Sequence, residues 1–154
     1  ADDLSTDLGA PTMICARQTE FDMRACATIQ GEICEGQRSG ISAFYNSYFH
    51  YDIFVTKQNG AHRVCLRKRV ADIDTVVASH EIDYNGEMKL KIESDEQWYR
   101  FFYERDGAFV ELGKGRTALL ATEVTTPMTF TGTFWGAFTE NGNISLESFA
   151  VKKL

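Results

Sequence analysis

The sequence predicts an all-β, two-sheet antiparallel sandwich, and three observations carry that expectation. Asn59-Gly60, Asn85-Gly86, Asp106-Gly107 and Asn141-Gly142 mark tight turns, because Asn, Asp and Gly tolerate the positive φ that short hairpins need. Between the turns, apolar and polar residues alternate with a period of two, the pattern of strands with one buried and one wet face. Only two prolines occur, Pro11 and Pro127, and neither interrupts a strong period. Ten or more short strands with few helices are best buried as two packed sheets whose inner faces share one core.

The elements follow in order. The first dozen residues are rich in Asp, Gly, Ser and Thr, so residues 1–10 are expected to be a linker or tail and residues 11–154 a single domain. Strands are expected over Glu20–Ile29, Gly40–Asn46 and His50–Lys57. Val64 and Leu66 then alternate with Arg63, Cys65 and Arg67. The basic run Arg67-Lys68-Arg69 alternates faces there and reads as a solvated strand edge. Thr75–His80 comes next. Met88, Leu90 and Ile92 alternate with Lys89, Lys91 and Glu93. Tyr99, Phe101 and Tyr103 alternate with Arg100, Phe102 and Glu104. Thr117–Val124 is the one segment suited to a helical turn, and Gly132–Phe138 and Ser145–Val151 are the last strands.

Composition narrows the function classes. The chain has 154 residues, 44% hydrophobic and 25% charged, which suits one globular domain rather than a disordered segment. A net charge of −6 argues against a nucleic-acid partner, which needs a concentrated basic surface. No apolar run has the length of a membrane-spanning helix. The acidic start Ala1-Asp2-Asp3 carries no signal peptide, which fits a cytoplasmic protein, a periplasmic or secreted one whose signal lies outside this chain, or a piece of something longer. Cys15, Cys26, Cys34 and Cys65 show neither CxxC spacing nor paired histidines, so no zinc site is expected and buried free thiols are.

Residues that could carry chemistry are scattered. Glycoside hydrolysis by paired carboxyl groups needs a separation of about 5–10 Å. Glu20 with Asp22, or Glu32 with Glu35, could meet, but nothing selects a pair among 22 acidic residues. His50, His62 and His80 lie in or beside strands, and no serine sits in a Gly-x-Ser-x-Gly elbow. Asp72-Ile73-Asp74 lacks the glycine and distal glutamate of an EF-hand loop. Sandwich domains can hold calcium at strand ends through backbone carbonyls, so a structural calcium is the one cofactor left open. Aromatic residues offer a binding surface, because sugar C–H faces stack on exposed rings. Tyr45, Tyr48, Phe49 and Tyr51 share one hairpin. Parity sets Tyr48 and Trp98 opposite their apolar neighbours, whereas Tyr51, Tyr99, Phe101 and Phe138 suit the core.

The order of motifs along the chain points to a family. Leu8-Gly9-Ala10-Pro11 precedes Ala16-Arg17-Gln18-Thr19-Glu20-Phe21, and Gly40-Ile41 precedes Phe44-Tyr45-Asn46 and His50-Tyr51. Leu119 to Val124, Phe130-Thr131-Gly132 and Phe134-Trp135-Gly136-Ala137-Phe138 close the series before Asn141-Gly142-Asn143. This order resembles the C-terminal concanavalin A-like β-sandwich (a jelly roll) of family 43 glycoside hydrolases, the β-xylosidases and α-arabinofuranosidases. The resemblance implies a non-catalytic accessory domain whose partner is a catalytic β-propeller of the same polypeptide, acting on xylosyl or arabinosyl bonds. No catalytic residue carries over. In some relatives a sandwich loop helps close the propeller pocket, and the matching region here runs from Gly31 to Gly40, with Glu32, Cys34, Glu35, Gln37 and Arg38. Tyr48, Trp98, Glu35 and Arg38 are therefore the candidate substrate-binding residues. The competing expectation is an autonomous module that holds xylo- or arabino-oligosaccharide on an aromatic concave face.

Overall fold

The computed structural model describes residues 12–120, 133–142 and 145–154. Eleven strands are found among them: β1 Thr12–Arg17, β2 Met23–Gln30, β3 Arg38–Asn46, β4 Phe49–Gln58, β5 Ala61–Val70, β6 Ile73–Glu81, β7 Glu87–Ser94, β8 Trp98–Arg105, β9 Ala108–Arg116, β10 Phe134–Glu140 and β11 Ser145–Lys153. They form a six-stranded sheet, β1-β10-β3-β4-β5-β6, and a five-stranded sheet, β11-β2-β7-β8-β9. Every pairing between these strands is antiparallel. The fold is the concanavalin A-like sandwich that the sequence leads one to expect.

The inner faces meet in one core. Ile41, Ala43, Tyr51, Ile53, Val55, Val64, Leu66 and Trp135 come from the six-stranded sheet, and Ala25, Ala27, Ile29, Leu90, Ile92, Tyr99, Phe101 and Tyr103 from the other. The rings interlock edge to face, Tyr51 against Tyr99 and Phe101, and Tyr99 against Trp135. Buried polar tips need partners, and Gln18 supplies them: its Oε1 accepts from the Tyr99 hydroxyl at 2.6 Å and from the Trp135 indole at 2.9 Å.

All four turn expectations hold at backbone level, and Asn141 has φ 58°. Asn59-Gly60 and Asp106-Gly107 both adopt positive φ at both residues, and Gly86 has φ 100°. Thr117–Leu120 forms a 3-10 turn, and the rest of the expected helical segment lies outside the described residues.

Other expectations need correction. The second strand begins at Met23, not Glu20, because Thr19 and Glu20 turn back to donate their amides to the Met23 sulfur. Strand β9 was not anticipated, since Gly113 and Gly115 break its pattern. An added methyl at Gly115 would lie 2.7 Å from Tyr51 Cε2, so that position must stay bare for the Tyr51 ring to fit. Arg67-Lys68-Arg69 is no solvated edge: β5 is flanked by β4 and β6, and Arg67 is buried. All four cysteines are free, but only Cys65 is buried, and Cys15 and Cys34 are exposed.

Candidate functional site

Strand parity sends His50, Asp52, Arg67, Ser42 and Glu140 away from the core, to the outer face of the six-stranded sheet. All five are nevertheless buried. Asp52 Oδ2 accepts from Arg67 Nε at 2.7 Å and lies 2.7 Å from His50 Nδ1, while Oδ1 accepts from Ser42 Oγ at 2.5 Å. An ionised carboxylate can only accept, so Nδ1 carries the proton facing Asp52. Arg67 also donates to Glu140, from Nη2 at 2.9 Å and Nη1 at 3.4 Å, and Arg38 Nη1 adds an ion pair to Glu140 at 3.5 Å. Burial alone would raise the Asp52 carboxyl. The charges of His50 and Arg67 and the hydrogen bonds from His50 and Ser42 outweigh it, and hold the group well below the usual carboxylate range. Ser42 is turned to the aspartate rather than to the imidazole, so the three do not form a nucleophile–base–carboxylate relay. The arrangement clamps β3, β4, β5 and β10 together. Sequence reasoning missed it, because its members come from positions far apart whose register no local pattern reveals.

The four candidate binding residues are not brought together. Tyr48 sits in the β3–β4 turn, 48% exposed, with the Arg69 guanidinium 5.5 Å from its ring centre. Arg38 begins β3, at the other end of that hairpin, and lies over the Phe54 ring. Glu35 accepts from the amides of Asn59 and Gly60 at 3.2 and 2.6 Å, so its carboxylate pins the β4–β5 turn. Trp98 opens β8 of the opposite sheet, half-buried on the outer face, with Lys114 Nζ 4.1 Å and Arg116 Cζ 4.3 Å from its ring centre.

A polar cleft of about 600 Å³ lies where β7 starts and β8 ends, lined by Asp83, Glu87, Lys89, Glu104, Arg105 and Asp106 among others. Among the described residues no cluster of three or more His, Cys, Asp or Glu side chains is placed to hold a metal ion. Asp74, in the Asp72-Ile73-Asp74 run, pairs with Arg69 at 3.8 Å.

Compared with known proteins, residues 2–150 match the model of the β-xylosidase C-terminal concanavalin A-like domain. The chain belongs to that family. Among relatives of this glycoside hydrolase family 43 domain is the non-reducing end α-L-arabinofuranosidase BoGH43B of Bacteroides ovatus, 28% identical over 130 residues. That alignment takes in 84% of this chain and 24% of the relative, so the chain spans about a quarter of that enzyme. The solved Bacteroides ovatus xyloglucan-locus GH43B superposes with a TM-score of 0.83 at 26% identity, over 94% of this chain and 30% of that one. The xylan β-1,4-xylosidase of Bacillus halodurans shares the fold with a TM-score of 0.88 at 15% identity, over 99% of this chain and 31% of that one. In such structures the domain is attached to a catalytic domain in a single chain.

Proposed function

We propose that this chain is the non-catalytic C-terminal accessory domain of a glycoside hydrolase acting on xylosyl or arabinosyl bonds. It packs on a separate β-propeller module of the same polypeptide and helps close its active site. One observation carries the reading: the family match runs almost end to end, yet the chain spans only 24% to 31% of the enzymes it resembles.

Two further observations support it. The buried ionisable groups of the outer face satisfy one another in an ion-paired clamp, which suits a scaffold better than a reaction centre. The edge strand β6 exposes three apolar side chains, Ile73, Val76 and Val77, at 62%, 46% and 49%, on an edge of the kind that a contact with another domain would cover. The test is direct. The chain alone should leave chromogenic xylosides and arabinofuranosides untouched, and turnover that co-purifies with the folded chain and is lost on Glu35→Gln would retire the non-catalytic reading.

The competing reading, an autonomous carbohydrate-binding module, draws on one feature: an aromatic ring in contact with two cations at Trp98. Its chemistry favours a particular kind of sugar.

A further inference from the structure

We propose that Trp98, Lys114 and Arg116 form a subsite for a uronic acid residue carried on an otherwise neutral polysaccharide. The proposal rests on the glycoside hydrolase part of the reading above, which makes a saccharide the relevant ligand, and not on how the domain packs.

The geometry is built by the backbone. Trp98 pairs with Arg116 and Arg100 with Lys114 in the β8–β9 ladder, so all four side chains emerge on the outer face of the five-stranded sheet. Asp95 Oδ1 accepts from the amides of Gln97 and Trp98 at 2.7 and 2.8 Å, and Thr117 Oγ1 donates to Asp95 O at 3.0 Å. From the core side, the Tyr51 hydroxyl donates to Arg116 O at 2.9 Å. Both strands are therefore fixed at the positions that bear the three side chains, which lowers the ordering cost of binding.

Charge separates this trio from its surroundings. On the same face Arg24 and Lys91 pair with Glu93 at 3.0 and 3.1 Å, Lys89 pairs with Glu104 at 4.0 Å, and Arg100 lies 3.7 Å from Asp95 and 3.8 Å from Glu111. Lys114 and Arg116 have no carboxylate within ion-pair distance among the described residues, and both are exposed. Their contact is with the indole, whose ring centre lies 4.1 Å from one cation and 4.3 Å from the other and neutralises neither. Both cations lie within 4.3 Å of one ring centre, within reach of a single carboxylate that would take the guanidinium through its planar fork and the ammonium as a point charge. The half-buried indole supplies the apolar surface on which a pyranose ring can lie once the cations turn to the carboxylate. Asp95 and Glu111 flank the neighbouring Arg100, and the chain carries a net charge of −6, so a dense polyanion is repelled where a single charge is accepted.

Fluorescence can read the site, because the chain has two tryptophans and Trp135 is fully buried. The protein is titrated with a xylo-oligosaccharide bearing one glucuronic acid branch, with the same compound after reduction of its carboxyl group, and with poly-glutamate. The acidic oligosaccharide should shift the Trp98 emission and bind about tenfold or more tightly than its reduced form. Added salt should weaken that binding, and Lys114→Gln with Arg116→Gln should abolish the preference while leaving the fold intact, since both side chains are solvent-exposed. Equal binding of the reduced compound, persistence of the preference in the double variant, or no binding of either sugar would overturn the proposal. Tighter binding of poly-glutamate would overturn it in favour of an acidic protein partner. The titration reads binding alone, so its failure leaves the accessory role standing, and turnover of a chromogenic glycoside would sink that role without touching this one.

Discussion

Asp52 shows how much a single position depends on partners from distant segments. It alternates with Tyr51 and Ile53, so its parity is legible from three residues, and an outward carboxylate would ordinarily be solvated. Burial changes its energetics: with Arg67, His50 and Ser42 around it, the ionised form is favoured and the carboxyl titrates well below its ordinary value. A depressed folded-state value means stability that is fully present above the unfolded value near ~4 and lost as pH falls below it. Melting temperature against pH should therefore drop on the acid side in the wild type, and Asp52→Asn should flatten that limb. The same variant leaves Arg67 and His50 buried without their shared anion, a loss of roughly 3–5 kcal/mol at neutral pH. The cysteines give a second residue-scale expectation. Burial pushes the Cys65 thiol up despite the Ser79 hydrogen bond, while Cys15 and Cys34 are exposed. Native-state alkylation should modify Cys15 and Cys34 first and Cys65 only on unfolding, as peptide mass mapping would show.

At the scale of elements, turns were the legible part, because the Asn-Gly and Asp-Gly requirement is local. The β5–β6 turn was not, since it places Ala71 at φ 56° where Asn or Gly would be expected. Ala71 donates its amide to Tyr48 O at 2.8 Å, which holds the turn against the neighbouring hairpin. Replacing Ala71 with Gly should relieve the left-handed strain and stabilise the chain by up to ~1 kcal/mol in urea unfolding. Gly40 behaves in the opposite way: a side chain there would run into the backbone of Ile53 and Phe54, so Gly40→Ala should separate β3 from β4 and lower the urea midpoint sharply. Strand β9 escaped a reading by periodicity for a related reason. Its glycines answer to Tyr51 and Leu66 on the facing sheet, and that demand is invisible along the strand itself.

For the whole molecule, the two sheets are joined by an apolar core with a small polar hub. Burial pushes the Tyr99 hydroxyl up to about 12, against the pull of its bonds to Thr133, Gln18 and Trp135, and Tyr51 is raised further by burial and by Tyr99. Raised values mean stability fully present below the unfolded tyrosine value near ~10 and lost as pH rises through the folded ones, so alkaline unfolding should set in above pH ~10. Gln18→Ala would leave both the Tyr99 hydroxyl and the Trp135 indole without their shared acceptor, and should cost ~1–3 kcal/mol by denaturant titration. Fold class was readable because turn chemistry and alternation agree over most of the chain. The surroundings of the candidate residues were not, because Tyr48, Trp98, Glu35 and Arg38 meet Arg69, Lys114, Arg116, the β4–β5 turn and Glu140, which only the register brings near. The most direct test of the accessory role is to add this chain to the separately produced catalytic module of its own enzyme and follow arabinofuranoside and xyloside hydrolysis. The account predicts a stable one-to-one complex whose turnover exceeds that of the module alone, and whose formation is weakened by Val76→Lys with Val77→Lys. A catalytic module that neither binds the chain nor gains activity from it would contradict the account.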